Sequence, residues 1–158
     1  MNINVICIGK LKEKYWTAAI EEYTKRLGAY CSLRIVELKE SKLPKNASAS
    51  DEQNVINTEG EEILSKISDG DYVVALEVEG KLLDSIELAE SVEKAAFQHS
   101  TIDFVIGGSL GLSQSVKKRA NLGMSFGRIT LPHQLARVVL LEQIYRAYKI
   151  INNETYHK

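Results

Sequence analysis

The chain has 158 residues, of which 44% are hydrophobic and 26% charged, and its formal net charge is −1. This composition is typical of a folded globular protein and excludes disordered and fibrous ones, so we expect a single domain over residues 1–158. No apolar run is long enough to span a bilayer, and Met1–Lys10 lacks the form of a signal peptide, which predicts a cytoplasmic protein without a membrane partner.

Five apolar, β-branched runs are typical of β-strands. They are Ile3–Gly9, Leu33–Leu38, Tyr72–Val78, Asp103–Ile106 and a weaker run at Met124–Ile129. Segments with helical periodicity separate these runs along the chain. The alternation predicts an α/β fold with a mostly parallel sheet that is covered by helices on both faces.

The sequence also predicts five helices. They are Tyr15–Leu27, a helix from Ser50 to Ile67, one from Asp84 to Gln98, a short one over Gln114–Ala120, and a last one from Pro132 to Asn152. Ser50, with Gln53 three residues later, is the expected N-cap of the second helix. Asp84 and Glu87 form the same pattern at the third helix. Gly28 suits the left-handed position that often follows a helix.

The last predicted helix carries apolar side chains on more than one face. They are Leu135, Val138, Val139, Leu141, Ile144, Tyr145, Tyr148 and Ile151. Because these side chains cannot all face one sheet, a further surface must cover some of them. We expect a second copy of the chain there, which predicts a homodimer built partly on this helix. The alternative is a central helix that is buried within one monomer.

Charge is distributed unevenly along the chain. Residues 1–36 hold six Lys and Arg against three Asp and Glu, residues 37–104 hold six against sixteen, and residues 105–158 hold eight against two. A basic face formed by the two ends would bind polyanions. Scattered, solvated charge accounts for the same counts equally well.

The cysteines and histidines give no sign of a disulfide or a metal site. Cys7 and Cys31 lack C-x-x-C spacing, and Cys7 lies in a predicted strand, where it acts as a small hydrophobic residue. The three histidines stand far apart in the sequence, at His99, His133 and His157. We therefore expect no metal.

Three glycines follow the fourth predicted strand, at Gly107, Gly108 and Gly111. Their spacing, G-G-x-x-G, matches neither the dinucleotide-binding G-x-G-x-x-G nor the phosphate loop. Ligands of open α/β sheets bind beyond the carboxyl ends of the strands, where these glycines would lie. They indicate either a ligand that approaches the backbone too closely for a Cβ atom or a tight turn of the chain.

Two more strand ends are expected beside these glycines. The third strand ends near Leu76, and "MSFGRITLPHQ" leads from the fifth strand into the last helix. A pocket between the three loops would offer backbone N–H and C=O groups, apolar walls and hardly any titratable side chain. Such a pocket suits a neutral planar base with a small amino-acid tail better than it suits a triphosphate.

Four segments together carry a resemblance that extends over essentially the whole chain: "ICIGKLKEKYWTAAIEEYTKRL", "VIGGSLGL", "SFGRITLPHQLARVVLLEQIYRAYKI" and the terminal "YHK". They resemble the ribosomal large subunit methyltransferase H family, which belongs to the SPOUT class. The resemblance implies a fold with a C-terminal trefoil knot. It also implies a homodimer that methylates N3 of a pseudouridine in 23S rRNA of the ribosome, with S-adenosylmethionine as the methyl donor.

The resemblance assigns residues to the two halves of such a site. Those expected to hold the cofactor are Leu76, Gly107, Gly108, Phe126, Gly127, Arg128, Ile129, Thr130, Leu131 and Pro132. Arg146, Tyr156 and His157 are the expected catalytic residues on the RNA side. Without the resemblance, Arg146 would be read as a solvent-facing helix charge and His157 as part of a frayed chain end.

Other residues are expected to support RNA binding or the fold. Lys10, Lys12, Lys14, Lys117, Lys118 and Arg119 are candidates for contacts with RNA phosphates. Tyr15 and Trp16 are expected to anchor the first helix. Two alternatives to the methyltransferase are a non-catalytic ribosome-binding or assembly factor with the same fold and a flavodoxin-like redox protein. The intact glycine and T-L-P-H blocks count against the first, and the lack of a phosphate-binding motif counts against the second.

Overall fold

A computed structural model describes all of residues 1–158, and in it five strands alternate with five helices. The elements are β1 (Asn2–Ile8), α1 (Lys14–Leu27), β2 (Ser32–Leu38), α2 (Ala49–Leu64), β3 (Tyr72–Leu82), α3 (Ser85–Gln98), β4 (Thr101–Ile106), α4 (Gln114–Arg119), β5 (Leu122–Ser125) and α5 (His133–Ile151). The strands form one parallel sheet in the order β2-β1-β4-β3-β5. The predicted α/β class is confirmed, and the implied knot stays a prediction. None of the helices has the length and apolar character needed to cross a membrane.

The two faces of the sheet are covered by different helices. On one face, Ile3 and Val5 of β1 belong to a buried cluster that includes side chains of α1, α3 and α5. On the other face, Ile6 and Ile8 pack with side chains of α2 and α4. This division follows from the strand geometry, because successive side chains of a strand point to opposite faces. The apolar run of β1 is therefore buried on both sides, as in other parallel sheets.

Two helix ends differ from the sequence prediction. The N-cap of α2 is Ser48 rather than Ser50, and Ser48 and Asp51 form a reciprocal capping box. The carboxylate of Asp51 suits this position because it also faces the positive end of the helix dipole. Gly28 is right-handed, with φ −58°, so its predicted left-handed role is wrong. The N–H of Cys31 instead bonds to the carbonyl of Leu27 at 3.0 Å, and this bond forms the turn after α1 without a left-handed residue.

Strand β5 begins and ends earlier than predicted because of a close crossing with β3. The pairing of these strands shifts register, so that Leu76 and Lys81 both lie opposite Met124. A Cβ atom at Gly80 would lie 2.6 Å from the backbone carbon of Met124. Only glycine fits there, and its absence of a side chain lets β3 continue past β5. The chain then leaves the sheet after Ser125 and turns at Gly127, where φ is +115°.

Helix α5 is covered largely from within the chain. Leu140, Leu141 and Ile144 are fully buried in the cluster that α5 shares with α1, α3 and the sheet. The alternative of a helix buried within one monomer therefore describes its inner face. On its outer face Val138 and Val139 stay partly exposed.

A buried polar cluster lies toward the amino end of the sheet. Asp103 of β4 is fully buried, and its Oδ1 accepts a hydrogen bond from Asn4 Nδ2 at 2.7 Å. Its other oxygen, Oδ2, has no hydrogen-bond partner. Burial raises the pKa of Asp103 to about 6, against the lowering effects of the Asn4 bond and Arg119, and nearby Asp71 raises it further. Nothing in the sequence around Asp103 distinguishes it from other strand residues, so this cluster was not predicted.

This raised pKa predicts that Asp103 weakens the fold as it ionises. An unfolded aspartate has a pKa of about 3.9, so the folded protein binds the proton more tightly, and wild-type stability should be lost as pH rises through about 6. The free energy of unfolding of Asp103→Asn, relative to wild type, should therefore increase between pH 4 and pH 7.5 in urea titrations. Asp69→Asn, at an exposed position, controls for the loss of one negative charge. A difference between Asp103→Asn and wild type that does not change with pH would contradict this account.

Candidate active site

A cavity of about 450 Å³ opens at the carboxyl end of the sheet, beyond β3, β4 and β5. Its volume lies within the usual range of small-molecule sites. Eight of the ten residues expected to hold a cofactor line it: Leu76, Gly107, Gly108, Phe126, Gly127, Ile129, Thr130 and Leu131. Arg128 and Pro132 are exposed and do not line it. The structure thus brings most of the set together, and the role assigned to these residues stays a prediction.

The glycine run on the cavity floor is required by contacts within the chain. Gly111 has φ +84°, and its N–H bonds to the carbonyl of Gly108 at 3.0 Å, which makes a tight turn. A Cβ atom at Gly107 would lie 2.9 Å from the backbone of Gly111. One at Gly108 would lie 2.7 Å from Glu59 Oε2. The bare backbone is therefore explained without a ligand, although Gly107 and Gly108 also face the cavity.

Glu59 of α2 supports this floor from behind. It is buried, its Oε1 accepts the N–H of Ser41 at 3.0 Å, and burial raises the pKa of its carboxyl group. The carboxylate thereby joins the loop after β2 to the glycine turn after β4. Sequence reasoning missed Glu59, because nothing in the surrounding "NTEGEE" distinguishes it from the exposed acidic residues nearby.

The loop between β5 and α5 forms the opposite wall, and Ser125 holds its shape. The hydroxyl of Ser125 donates to the carbonyl of Val78 at 3.0 Å and accepts the N–H of Gly127 at 3.1 Å. This buried serine fixes the start of the loop against β3. The carbonyl and N–H groups that follow are then presented to the cavity by a defined backbone.

The cavity carries more titratable groups than the sequence predicts. Glu77, Glu79, Lys117 and His133 all line it, and Lys117 Nζ lies 3.2 Å from Glu77 Oε2. The expectation of hardly any titratable side chain was therefore wrong. These side chains reach the cavity through tertiary packing, because α4 brings Lys117 over β3 and α5 begins with His133 at the cavity wall.

The expected catalytic residues come together on the outer side of α5. The guanidinium carbon of Arg146 lies 4.7 Å from the centre of the Tyr156 ring, and its Nη1 lies 3.5 Å from His157 Nδ1. The chain end is thus packed on α5 and is not a frayed tail. Glu142, which the sequence analysis missed, binds Arg146 Nη2 at 2.6 Å and accepts the hydroxyl of Tyr156 at 3.2 Å. The i,i+4 spacing of Glu142 and Arg146 was visible in the sequence.

Glu142 shifts the pKa values of two side chains in this cluster. The pKa of Arg146 is raised, chiefly by its hydrogen bond to Glu142. Burial, followed by the charge of Glu142, raises the pKa of Tyr156. The cluster therefore presents a guanidinium that stays charged, a phenol that stays protonated, and an imidazole.

A second cavity, of about 490 Å³, reaches His157 of this cluster and shares lining residues with the first cavity. His157, Val139 and Gln143 line it together with the start of α3. Both cavities are lined by Met124, Ser125, Phe126 and Leu131. The segment from Met124 to Leu131 therefore borders both cavities. The first is lined by many backbone groups, and the second reaches the basic, aromatic cluster.

Comparisons with known proteins agree with this arrangement. A family model described as "Predicted SPOUT methyltransferase" matches residues 1–157. Proteins named "Ribosomal RNA large subunit methyltransferase H" from Clostridium novyi (strain NT) and Limosilactobacillus reuteri (strain DSM 20016) are each 55% identical to this chain. A protein of the same name from Leuconostoc mesenteroides is 53% identical. In all three cases the alignment covers the whole of both chains.

A solved structure shows the same fold at low sequence identity. It is "a probable methylase family protein" from Haemophilus influenzae Rd KW20, with a TM-score of 0.55 and 13% identity. The similarity covers 96% of this chain, and the chain spans 66% of the length of that protein. At this identity the likeness supports the fold alone.

Proposed function

The chain belongs to the SPOUT methyltransferase family, and from this we propose that it transfers the methyl group of S-adenosylmethionine to N3 of a pseudouridine in the 23S rRNA of the ribosome. The observation that carries the proposal is the full-length identity of 50–55% to relatives named for methylation of large-subunit ribosomal RNA. The choice of pseudouridine N3 rests on the resemblance of the glycine, T-L-P-H and Y-R-A blocks to that family.

The first cavity fits S-adenosylmethionine. Leu76 and Leu131 offer apolar walls to a flat base, and the glycine turn and the loop after Ser125 offer backbone groups to its polar edge. The carboxylates of Glu77 and Glu79 would attract the positive charges of the donor. When bound, the donor supplies a methyl group that is already activated on a sulfonium. The protein's contribution is then mainly to hold this group in line with the attacking nitrogen.

The cluster on α5 fits the RNA side of the reaction. The imide nitrogen of the base must lose its proton before or during attack, and the imidazole of His157 is the candidate acceptor. The charge of Arg146, oriented by Glu142, would stabilise the resulting anion or hold a phosphate. The ring of Tyr156 would stack on the unpaired base.

A homodimer is part of this proposal. Apolar side chains surround the two cavities without being covered, among them Leu82, which is 64% exposed, and Ile129, which is 80% exposed. The outer face of α5 adds Leu135, Val138 and Val139, which are partly exposed. A second copy that packs on this continuous apolar region would cover it.

The dimer can be tested at Val139, which lies on the outer face of α5. We expect the wild-type protein to sediment at twice its chain mass of 17.7 kDa, and Val139→Glu to sediment as a monomer, because a carboxylate is costly to bury in an apolar interface. Phe97→Glu, an equal change at an exposed residue on α3, should stay dimeric. A wild type that is monomeric at micromolar concentration would remove the dimer from the proposal.

The activity is tested by incubating the protein with isotope-labelled S-adenosylmethionine and ribosomes that lack the modification. We expect one labelled methyl group, located by mass spectrometry on a pseudouridine of 23S rRNA. Calorimetry should show binding of the donor to the protein alone. A silent titration together with the absence of label would favour the non-catalytic ribosome-binding factor instead.

The RNA-side roles predict a separation of catalysis from donor binding. Arg146→Ala and deletion of residues 156–158 should each slow methyl transfer at least about 100-fold while the calorimetric affinity for S-adenosylmethionine stays nearly unchanged. Lys94→Ala is a matched control, because Lys94 also pairs with a glutamate at i,i+4 and is exposed on α3. Equal loss of transfer and donor binding in the Arg146 variant would contradict the assignment.

A further inference from the structure

The loops that follow β1 and β2, together with the first residue of α1, carry six exposed lysines, which we call the lysine surface. They are Lys10, Lys12, Lys14, Lys39, Lys42 and Lys45. Residues 9–14 and 39–48 contain only two carboxylates, Glu13 and Glu40. The lysines that form ion pairs within 4.0 Å are Lys94, Lys117 and Lys149, so all six of the lysine surface are free to bind an external anion.

Two other basic residues are occupied within the chain, Arg119 at the amino end of the sheet and Lys117 at the first cavity. Arg119 Nη2 donates to the carbonyls of Ser68 and Asp71 at 2.8 and 3.0 Å. Lys117 pairs with Glu77 in the cavity wall. Lys117 and Arg119 were expected to contact RNA phosphates, but in the structure they stabilise the fold through these contacts. Six of the free positive charges therefore belong to the lysine surface, and Arg128, in the loop after β5, is also exposed and unpaired.

The lysine surface is fixed relative to the first cavity. The N–H of Leu11 bonds to Glu37 Oε2 at 2.9 Å, which anchors the loop after β1. The loop after β2 is held where Ser41 bonds to Glu59, the side chain that lies directly behind Gly108 of the cavity floor. Because all five strands are parallel, both loops lie at the same end of the sheet as the cavity.

An exposed aromatic ring adjoins these lysines. Tyr15 follows Lys14 at the start of α1, is 66% exposed, and lies with its ring centre 5.1 Å from that of Trp16. The expectation that Tyr15 anchors α1 was therefore wrong. Unpaired lysines beside an exposed aromatic ring are typical of surfaces that bind single-stranded or looped RNA through its phosphates and one base.

We propose that the lysine surface binds the phosphate backbone of the RNA substrate beside the segment that enters the active site. This inference rests on the proposed function for the identity of the RNA, and it adds which face of the protein meets it. The binding is electrostatic and releases counterions from the RNA, so it weakens as added salt lowers the free energy gained by that release. The surface positions the substrate and takes no part in methyl transfer itself.

The test compares two triple variants of equal charge. Lys12→Gln, Lys42→Gln and Lys45→Gln together remove half of the lysine surface. Lys25→Gln, Lys66→Gln and Lys94→Gln together remove three exposed lysines from other parts of the fold. The probe is purified ribosomes whose large subunits lack the modification, as in the activity test. Binding is measured by co-sedimentation at roughly 50 to 300 mM NaCl, a range over which phosphate contacts weaken with salt.

For the lysine-surface variant, the plot of log affinity against log salt should become shallower by about two to three units, because each lost phosphate contact removes about 0.7–0.9. Its calorimetric affinity for S-adenosylmethionine should stay as in wild type, which shows that the fold and the first cavity are intact. The control variant should keep the wild-type slope. Equal slopes for the two variants would overturn the inference, even if the wild type methylates the subunits.

The two proposals can fail separately. If the wild type binds the subunits through these lysines but transfers no methyl group, the proposed function fails while the lysine surface is supported. If the wild type does not bind the subunits at low salt, both are overturned.

Discussion

An ion pair between the buried Arg137 and the partly exposed side chain of Glu37 holds the start of α5 against the ends of β1 and β2. Arg137 is 2% exposed, and its two Nη atoms donate to Glu37 Oε2 at 2.8 Å and to the carbonyl of Gly9 at 3.2 Å. A guanidinium removed from water is stable only with such partners, so the first turn of α5 cannot leave the first two strands without a large cost. Because Glu37 also holds the N–H of Leu11, one carboxylate fixes both the lysine-bearing loop and the cavity wall at His133.

Helix α5 then sets the distance between the two halves of the site. His133 lines the first cavity, and Arg146 follows thirteen residues later, about 20 Å along the helix axis. Within one chain only His157 of the expected catalytic residues lines a cavity that adjoins the first. A rigid helix cannot shorten this distance. In the proposed homodimer the second copy would therefore contribute to the reactive site, as well as cover the apolar side chains.

The sequence predicts the order of strands and helices well, because β-branched runs and helical periodicity are local properties. The cap of α2 was misplaced because Ser48 and Ser50 each precede a suitable side chain by three residues, and only the fold selects between them. The cavity glycines were found, but the pairing of Glu77 with Lys117 depends on how α4 packs on β3. Asp103 was missed for the same reason, since its polar partners come from other strands and loops.

The strand order also has a consequence for how the chain is made. Strand β1 lies inside the sheet, and its neighbour β4 follows about a hundred residues later, as the separation of 99 between Asn4 and Asp103 shows. During synthesis the edge of β1 that pairs with β4 therefore stays unpaired until most of the polypeptide has left the exit tunnel. Such distant pairing makes folding slow and leaves apolar side chains and an unpaired strand edge accessible meanwhile, so a nascent chain of this kind is a natural client for chaperones.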